Sequence, residues 1–267
     1  MSMDTIPLWI LWASSTVLVV VAIELGYHLG RYSHRRSEEE KESPVSAIAG
    51  SALALLAFML AFAFGIVANR YDDRKALVRE EANAIRSAWL LTDLLPQKSD
   101  GAEARRLLRE YLEKRLTLAQ SQKLVREELE IALAESKRIQ SRLWEMAVVN
   151  APPGPMNSDM AALYCDALRT VIELSATRVA VSIQARVPGV IWFTLFGMMV
   201  LGMMSVGYQT GVAGSKRSNA RVLLALSFSL VIALIAALDR PDSGVIRVSQ
   251  QPQLDLLTDM DGGKVAK

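Results

Sequence analysis

Glu24 and His28, in the stretch "IELGYHLG", stand four residues apart and so share one face of a helix. An ionisable group inside a membrane-spanning helix is costly, which makes the pair a functional candidate. The plainer alternative puts both near the inner end of the helix, with Glu24 accepting a hydrogen bond and His28 reaching the headgroups. The chain has only two histidines, too few for a metal site, and no metal is expected. Phe58, Phe62 and Ile66 follow at i, i+4 and i+8 and line up along one helix face. In a ring of subunits such a stripe makes a hydrophobic constriction that gates by dewetting. Lipid contact asks for the same pattern.

A third set is charged. Arg70, Asp72, Asp73, Arg74 and Lys75 leave one apolar run, and "LDRPDSGVIRVS" leaves another on the same membrane side. Asp239 can pair with Arg70 or Arg74, and Arg240 with Asp72 or Glu81. This collar either selects ions at a helix mouth or clamps a helical domain to the membrane. Catalytic signatures are missing: the sequence holds no HExxH, no GxSxG, no phosphate-cradling loop and no dinucleotide fingerprint. No enzyme activity and no cofactor are expected.

The elements that position these residues follow from composition. Half the chain (51%) is hydrophobic with a mean hydropathy of +0.23, yet 22% is charged, so the two kinds must be segregated. Uncharged runs cover Thr5 to Ile23, Ser43 to Asn69, Val187 to Ser215 and Val222 to Leu238. A bilayer core needs about 20 helical residues, so all four qualify as spans. The first has no basic leader and no small-x-small cleavage site, and reads as a retained helix. A net charge of +2 does not indicate nucleic acid as a partner. The single cysteine, Cys165, cannot form an intrachain disulfide.

Between the hairpins, apolar residues recur at three- and four-residue steps: Leu77, Val78, Ala82, Ile85 and Trp89, then Ala104 to Leu118, then Leu124, Ile131, Ile139, Leu143 and Met146. "NAPPGP" breaks the pattern, and Asn157 or Ser158 can cap a last helix carrying Leu163, Leu168, Val171, Leu174 and Val179. No internal repeat is read. The expected fold is all-α, with four transmembrane helices and an extramembrane antiparallel helical bundle between the second and third. The expected division is residues 1–69 (helices about 6–30 and 45–69), 70–186 for the bundle, 187–240 (helices about 187–209 and 221–239), and a tail over 241–267.

The stretches "LLAFMLAFAFGIVANRYDDRKALVREEANAIRSAWLLTDLLP" and "ALDRPDSGVIRVSQQPQLDLL" resemble the bacterial bestrophin-like domain family. The loops "GYHLGRYSHRR" and "GYQTGVAGSKRSNAR" fit it too. That resemblance implies a homo-oligomer in the bacterial plasma membrane with a distant similarity to bestrophins, which are pentameric chloride channels with an apolar neck on the second membrane helix. Phe58, Phe62 and Ile66 match the neck in spacing, and small anions become candidate partners beside the lipid bilayer. Two functions from different classes follow: an oligomeric anion channel, or a non-conducting interaction or sensor module acting through the helical domain.

Orientation rests on charge in short loops. Arg31, Arg35, Arg36 and Lys41 in one hairpin, with Lys216, Arg217 and Arg221 in the other, favour both hairpin loops inside and the helical domain outside. Bestrophins place that domain in the cytosol, the opposite side. Cysteines at Ser37, Ser99 and Ser218, in a Cys165→Ala background, test this with an impermeant maleimide on intact cells. Labelling at Ser99 alone is expected; labelling at Ser37 and Ser218 with protection at Ser99 reverses the topology.

Overall fold

The structure is a computed structural model describing residues 6–36, 42–121, 126–152, 156–184, 186–214, 220–240 and 246–262. Ser37, Lys41, Leu124, Pro153, Pro155, Lys216, Arg217, Ser218 and Pro241 lie outside them. The described residues are mostly helical, with no strand: α1 (Leu8–Arg36), α2 (Glu42–Leu91), α3 (Lys98–Gln120), α4 (Arg126–Asn150), α5 (Ser158–Gln184), α6 (Gly189–Val212), α7 (Ala220–Asp239) and α8 (Gln251–Gly262). Helices α1, α2, α6 and α7 are each long and apolar enough to cross a membrane. Helix α2 runs unbroken for 50 residues, because nothing between Pro44 and Pro96 interrupts its hydrogen-bond ladder. Its contacts divide between two compact units. One comprises Met1–Tyr71 with Arg186–Ile246, the other Asp72–Ala185 with Arg247–Lys267.

The first unit is held by backbone contact between α1 and α6. In lipid the hydrophobic effect gives little reason for apolar helices to associate, so close packing must supply it. A Cβ on Gly26 would penetrate the carbonyl of Met204, and one on Gly30 the carbonyl of Tyr208. Gly207 stands in the same way against Ile23, and Gly211 against Tyr27. Exchanging Gly26 with Gly207 and Ile23 with Met204 leaves this set of contacts unchanged. So does exchanging Gly30 with Gly211 and Tyr27 with Tyr208. Helices α1 and α6 are therefore parallel and related by a local pseudo-two-fold, through "GYHLG" on one and "GYQTG" on the other. No internal repeat was read from the sequence, yet these two five-residue stretches form one. Around this seam Val19, Leu56, Val67, Leu195, Met203 and Ile232 are buried.

The second unit is an antiparallel bundle. Lys114, Glu103 and Asp100, descending along α3, meet Glu135, Arg142 and Asn150, ascending along α4. Its core takes Ile85 and Ala88 from α2, Leu108 and Leu112 from α3, Ile139 and Leu143 from α4, and Tyr164 and Leu168 from α5. The Asn157 side chain caps α5, accepting the Met160 N–H at 2.9 Å. Two residues expected on apolar stripes face outward instead, Ile131 and Leu163. The larger difference is α8. Residues 241–267 were expected to be a tail, but Gln251–Gly262 form a helix whose Leu256 enters the bundle core. Pro252 is tolerated there because it falls in the first turn, where N–H groups lack intrahelical partners.

The glycine seam yields a sharp test. Gly207→Ala or Gly26→Ala forces two backbones apart and should lower stability in detergent by about 1–3 kcal/mol. Gly197, with nothing within 4 Å of an added Cβ, should accept alanine with no loss. Equal melting temperatures for Gly207→Ala and Gly197→Ala would show that the seam is not close-packed.

Candidate functional site

Helix α1 carries Glu24 and His28 as the spacing requires, with His28 Nε2 at 3.3 Å from Glu24 Oε1. The partner that spacing did not name is Arg221 of α7, whose Nη1 donates to Glu24 Oε2 at 2.8 Å. Arg221 opens the fourth apolar run and stands at the same end of its hairpin as Glu24. The carboxylate is thereby matched by a cation across the unit.

Helix α2 presents two different faces within the first unit. Leu56, Leu60, Ala63 and Val67 are buried, following the 4-3-4 step of a packed stripe. Phe58 and Phe62 are 66% and 58% exposed, and Ile66 is half-buried. Two large aromatics thus stand on a face that this chain leaves uncovered.

The six collar residues divide between the units. In the first, Asp239 is buried; its Oδ1 accepts the Val187 N–H at 3.1 Å and lies 3.6 Å from Arg70 Nη1. Arg186 donates to the Asp239 carbonyl at 3.0 Å, and Arg240 donates to the carbonyl of Ile6. Asp239, the last residue of α7, thus ties the entry of α6 to Arg70 in the middle of α2. In the second unit Asp72 is exposed, while Arg74 and Glu81 are buried.

Glu81 is the most enclosed charge of the second unit, with no exposure at all. Its Oε1 accepts the Tyr111 hydroxyl at 2.8 Å and lies 3.0 Å from Arg115 Nε, both on α3. Its Oε2 is bonded by Arg178 of α5 and by Gln253 Nε2 of α8, the latter at 2.8 Å. Tyr111, Arg115, Arg178 and Gln253 all belong to the second unit, as Glu81 does. Every one is a donor, which suits an ionised carboxylate. Burial opposes that charge, but Arg115 and Arg178, with the hydrogen bonds from Arg178 and Tyr111, hold the carboxyl below its ordinary value. Burial and the adjoining carboxylate push the Tyr111 phenol up, so it remains a donor. Sequence periodicity gave Tyr111 as a core position and did not mark Arg115, Arg178 or Gln253. Arg115 one turn after Tyr111 on an apolar stripe was the available signal.

Among the described residues no group of His, Cys, Asp and Glu is placed to hold a metal ion. A cavity between α1, α2 and α6, lined by Leu29, Ile48, Leu201, Met204 and Tyr208, is mostly apolar and offers no charged ligand.

Four spans, a glycine-sealed pair of membrane hairpins and a bundle centred on a buried carboxylate define a helical membrane protein. The Bestrophin-like domain family model matches residues 15–253, and the chain belongs to that family. No curated protein and no solved structure matches it.

The Glu81 cluster generates a stability prediction. Glu81→Ala leaves Arg115 and Arg178 buried without their counter-charge and should cost about 3–5 kcal/mol. Arg86→Ala, which removes a half-exposed pair with Asp259, should change stability by no more than about 1 kcal/mol. Because the folded state lowers the Glu81 pKa, its contribution is full above the unfolded value of about 4.3 and fades as pH falls through the lowered one. Thermal unfolding in detergent measures both substitutions; equal small effects would mean that the cluster contributes no net stability.

Proposed function

We propose that the chain assembles with copies of itself into an ion channel of the bacterial plasma membrane, with α2 lining the pathway and small anions as the permeant class. The supporting observation is the uncovered face of α2. Phe58 and Phe62 project from it while the opposite stripe is packed inside the unit. A passage between α1 and α6 is unfavourable, because their backbones meet at the glycine seam. A pathway between several chains is the geometry left, with Phe58, Phe62 and Ile66 forming an apolar constriction and Arg70 standing near one mouth. Ions cross such a constriction only when it wets, so its apolar side chains set the barrier. The helical unit belongs outside the membrane, on the outer side by the charge of the short loops. The reading includes no enzymatic step and no cofactor.

A second reading has its own support. Trp144, Val148 and Val149 on α4, and Met160 and Leu163 on α5, are exposed apolar residues of the helical unit. They suit a non-conducting module that binds a partner protein through that unit.

Chloride flux from proteoliposomes separates the two. Phe62→Ser should raise flux several-fold over wild type with the oligomer intact. Leu60 is a poor control, since it is buried and its truncation would open a cavity. Phe64 is exposed and lies about 200° round the helix from Phe62, so Phe64→Ala should leave flux unchanged. Silence of wild type and Phe62→Ser under every gradient would overturn conduction and favour the interaction module. Equal gains from Phe62→Ser and Phe64→Ala would place the pathway elsewhere.

A further inference from the structure

Three helices of the membrane unit leave a space where small residues from each of them meet. Gly26 of α1, Ala49 of α2 and Ser205 of α6 line a cavity of about 340 Å³, with Val45, Met204 and Tyr208 completing its wall. Larger side chains stand at its rim: Leu29, Ile48 and Leu201 also line it and are exposed on the surface of the unit. Contacts between α2 and α6 bracket the space. On one side Gln209 Nε2 donates to Ser46 Oγ at 3.0 Å. On the other, a Cβ on Gly202 would stand 3.6 Å from Leu56 Cδ2 and 3.8 Å from the carbonyl oxygen of Ala52, ordinary packing distances. From Ser46 to Ala52 the helix rises about 9 Å. The cavity is therefore a slot of finite length that opens sideways.

Helices α1, α2 and α6 are each long and apolar enough to cross a membrane, so the open side of the slot meets hydrocarbon. Water is a poor occupant, because each buried molecule needs about two to four polar partners. The Ser205 hydroxyl is already bonded to the Leu201 carbonyl, at 2.9 Å within its own helix. Left empty, the slot would forfeit dispersion contacts along its whole lining. The pseudo-two-fold of the glycine seam adds a second observation. The register that pairs Gly26 with Gly207 also pairs Ser205 with Glu24 and Gln209 with His28. Across the seam, the position equivalent to Ser205 is thus a carboxylate held by Arg221. The backbone repeats but the polarity does not, and this cavity lies on the neutral side.

We infer that the slot seats one acyl chain of a bilayer phospholipid, from the leaflet on the side of the hairpin loops. The chain enters past Leu29, Ile48 and Leu201 and lies against Gly26, Ala49 and Met204. Its headgroup stays at the interface, beside the exposed Ser46–Gln209 hydrogen bond. Close packing retains it, as it does neighbouring helices in a membrane. The seat exists whether or not α2 lines an ion pathway.

Photolabelling tests it, using a phosphatidylcholine with a diazirine along one acyl chain, in nanodiscs holding the full-length protein. Insertion sites are mapped by peptide mass spectrometry. In wild type the label should insert at Ala49, which is buried, and at Met204, as well as at Leu223, an exposed residue of α7 that reports surface lipid. Ser205→Leu and Ala49→Leu each fill the slot and should cut insertion at Met204 several-fold while leaving Leu223 unchanged. Loss of the Ser205 hydroxyl unpairs no other side chain, since its bond is to its own helix. Insertion at Leu223 with none at Ala49 or Met204 would overturn the proposal. So would undiminished insertion at Met204 in both filled variants, with Leu223 labelled as in wild type. Labelling of Met204 in detergent-dispersed single chains but not in nanodiscs would give the slot to a second copy of the chain, and would overturn it as well.

Discussion

A carboxylate sealed from water must find its counter-charges inside the protein, and Glu81 recruits them from three other helices. Arg115 and Tyr111 come from α3, Arg178 from α5 and Gln253 from α8. Desolvating one carboxylate and two guanidiniums costs several kcal/mol per ion, so the arrangement is tolerable only when every partner is in place. That requirement fixes the rotation of each helix about its axis more tightly than apolar packing does. Apolar side chains accept small slips in register, whereas a buried ion pair does not.

The first unit solves a different problem with different means. Its helices meet lipid, where apolar surface has no preference for protein over acyl chain. The glycines of "GYHLG" and "GYQTG" let α1 and α6 touch along their backbones, and dispersion over that contact takes the place of hydrophobic burial. Polar clamps then sit at both ends of the unit: Glu24 with Arg221 near one, and Asp239 with Arg70 and Val187 near the other. Each joins one hairpin to the other, so charge closes what the seam begins.

Helix α2 is the element common to both. It supplies Leu56 and Leu60 to the membrane unit's core, Phe58 and Phe62 to its uncovered face, and Glu81 and Ile85 to the bundle. A single ladder of backbone hydrogen bonds therefore runs from the candidate constriction to the central carboxylate. In the proposed channel, this is the route by which the bundle and the pathway share a residue register.

Apolar runs and helical periodicity were enough to give the all-α class, the four spans, the stripe on α3 and a cap at Asn157 or Ser158, because each is a property of neighbouring residues. The family was legible as well, in the stretch around Asn69 to Ile85. Tertiary structure alone decided that Leu60 is packed while Phe58 and Phe62 are not, that Arg221 meets Glu24, and that the supposed tail returns as α8. These facts join residues far apart in the chain, and a local period states which face of a helix is apolar without stating what covers it. Glu81 shows the difference. The sequence places it among charged residues on an exit helix, and only four converging helices make it the centre of a core.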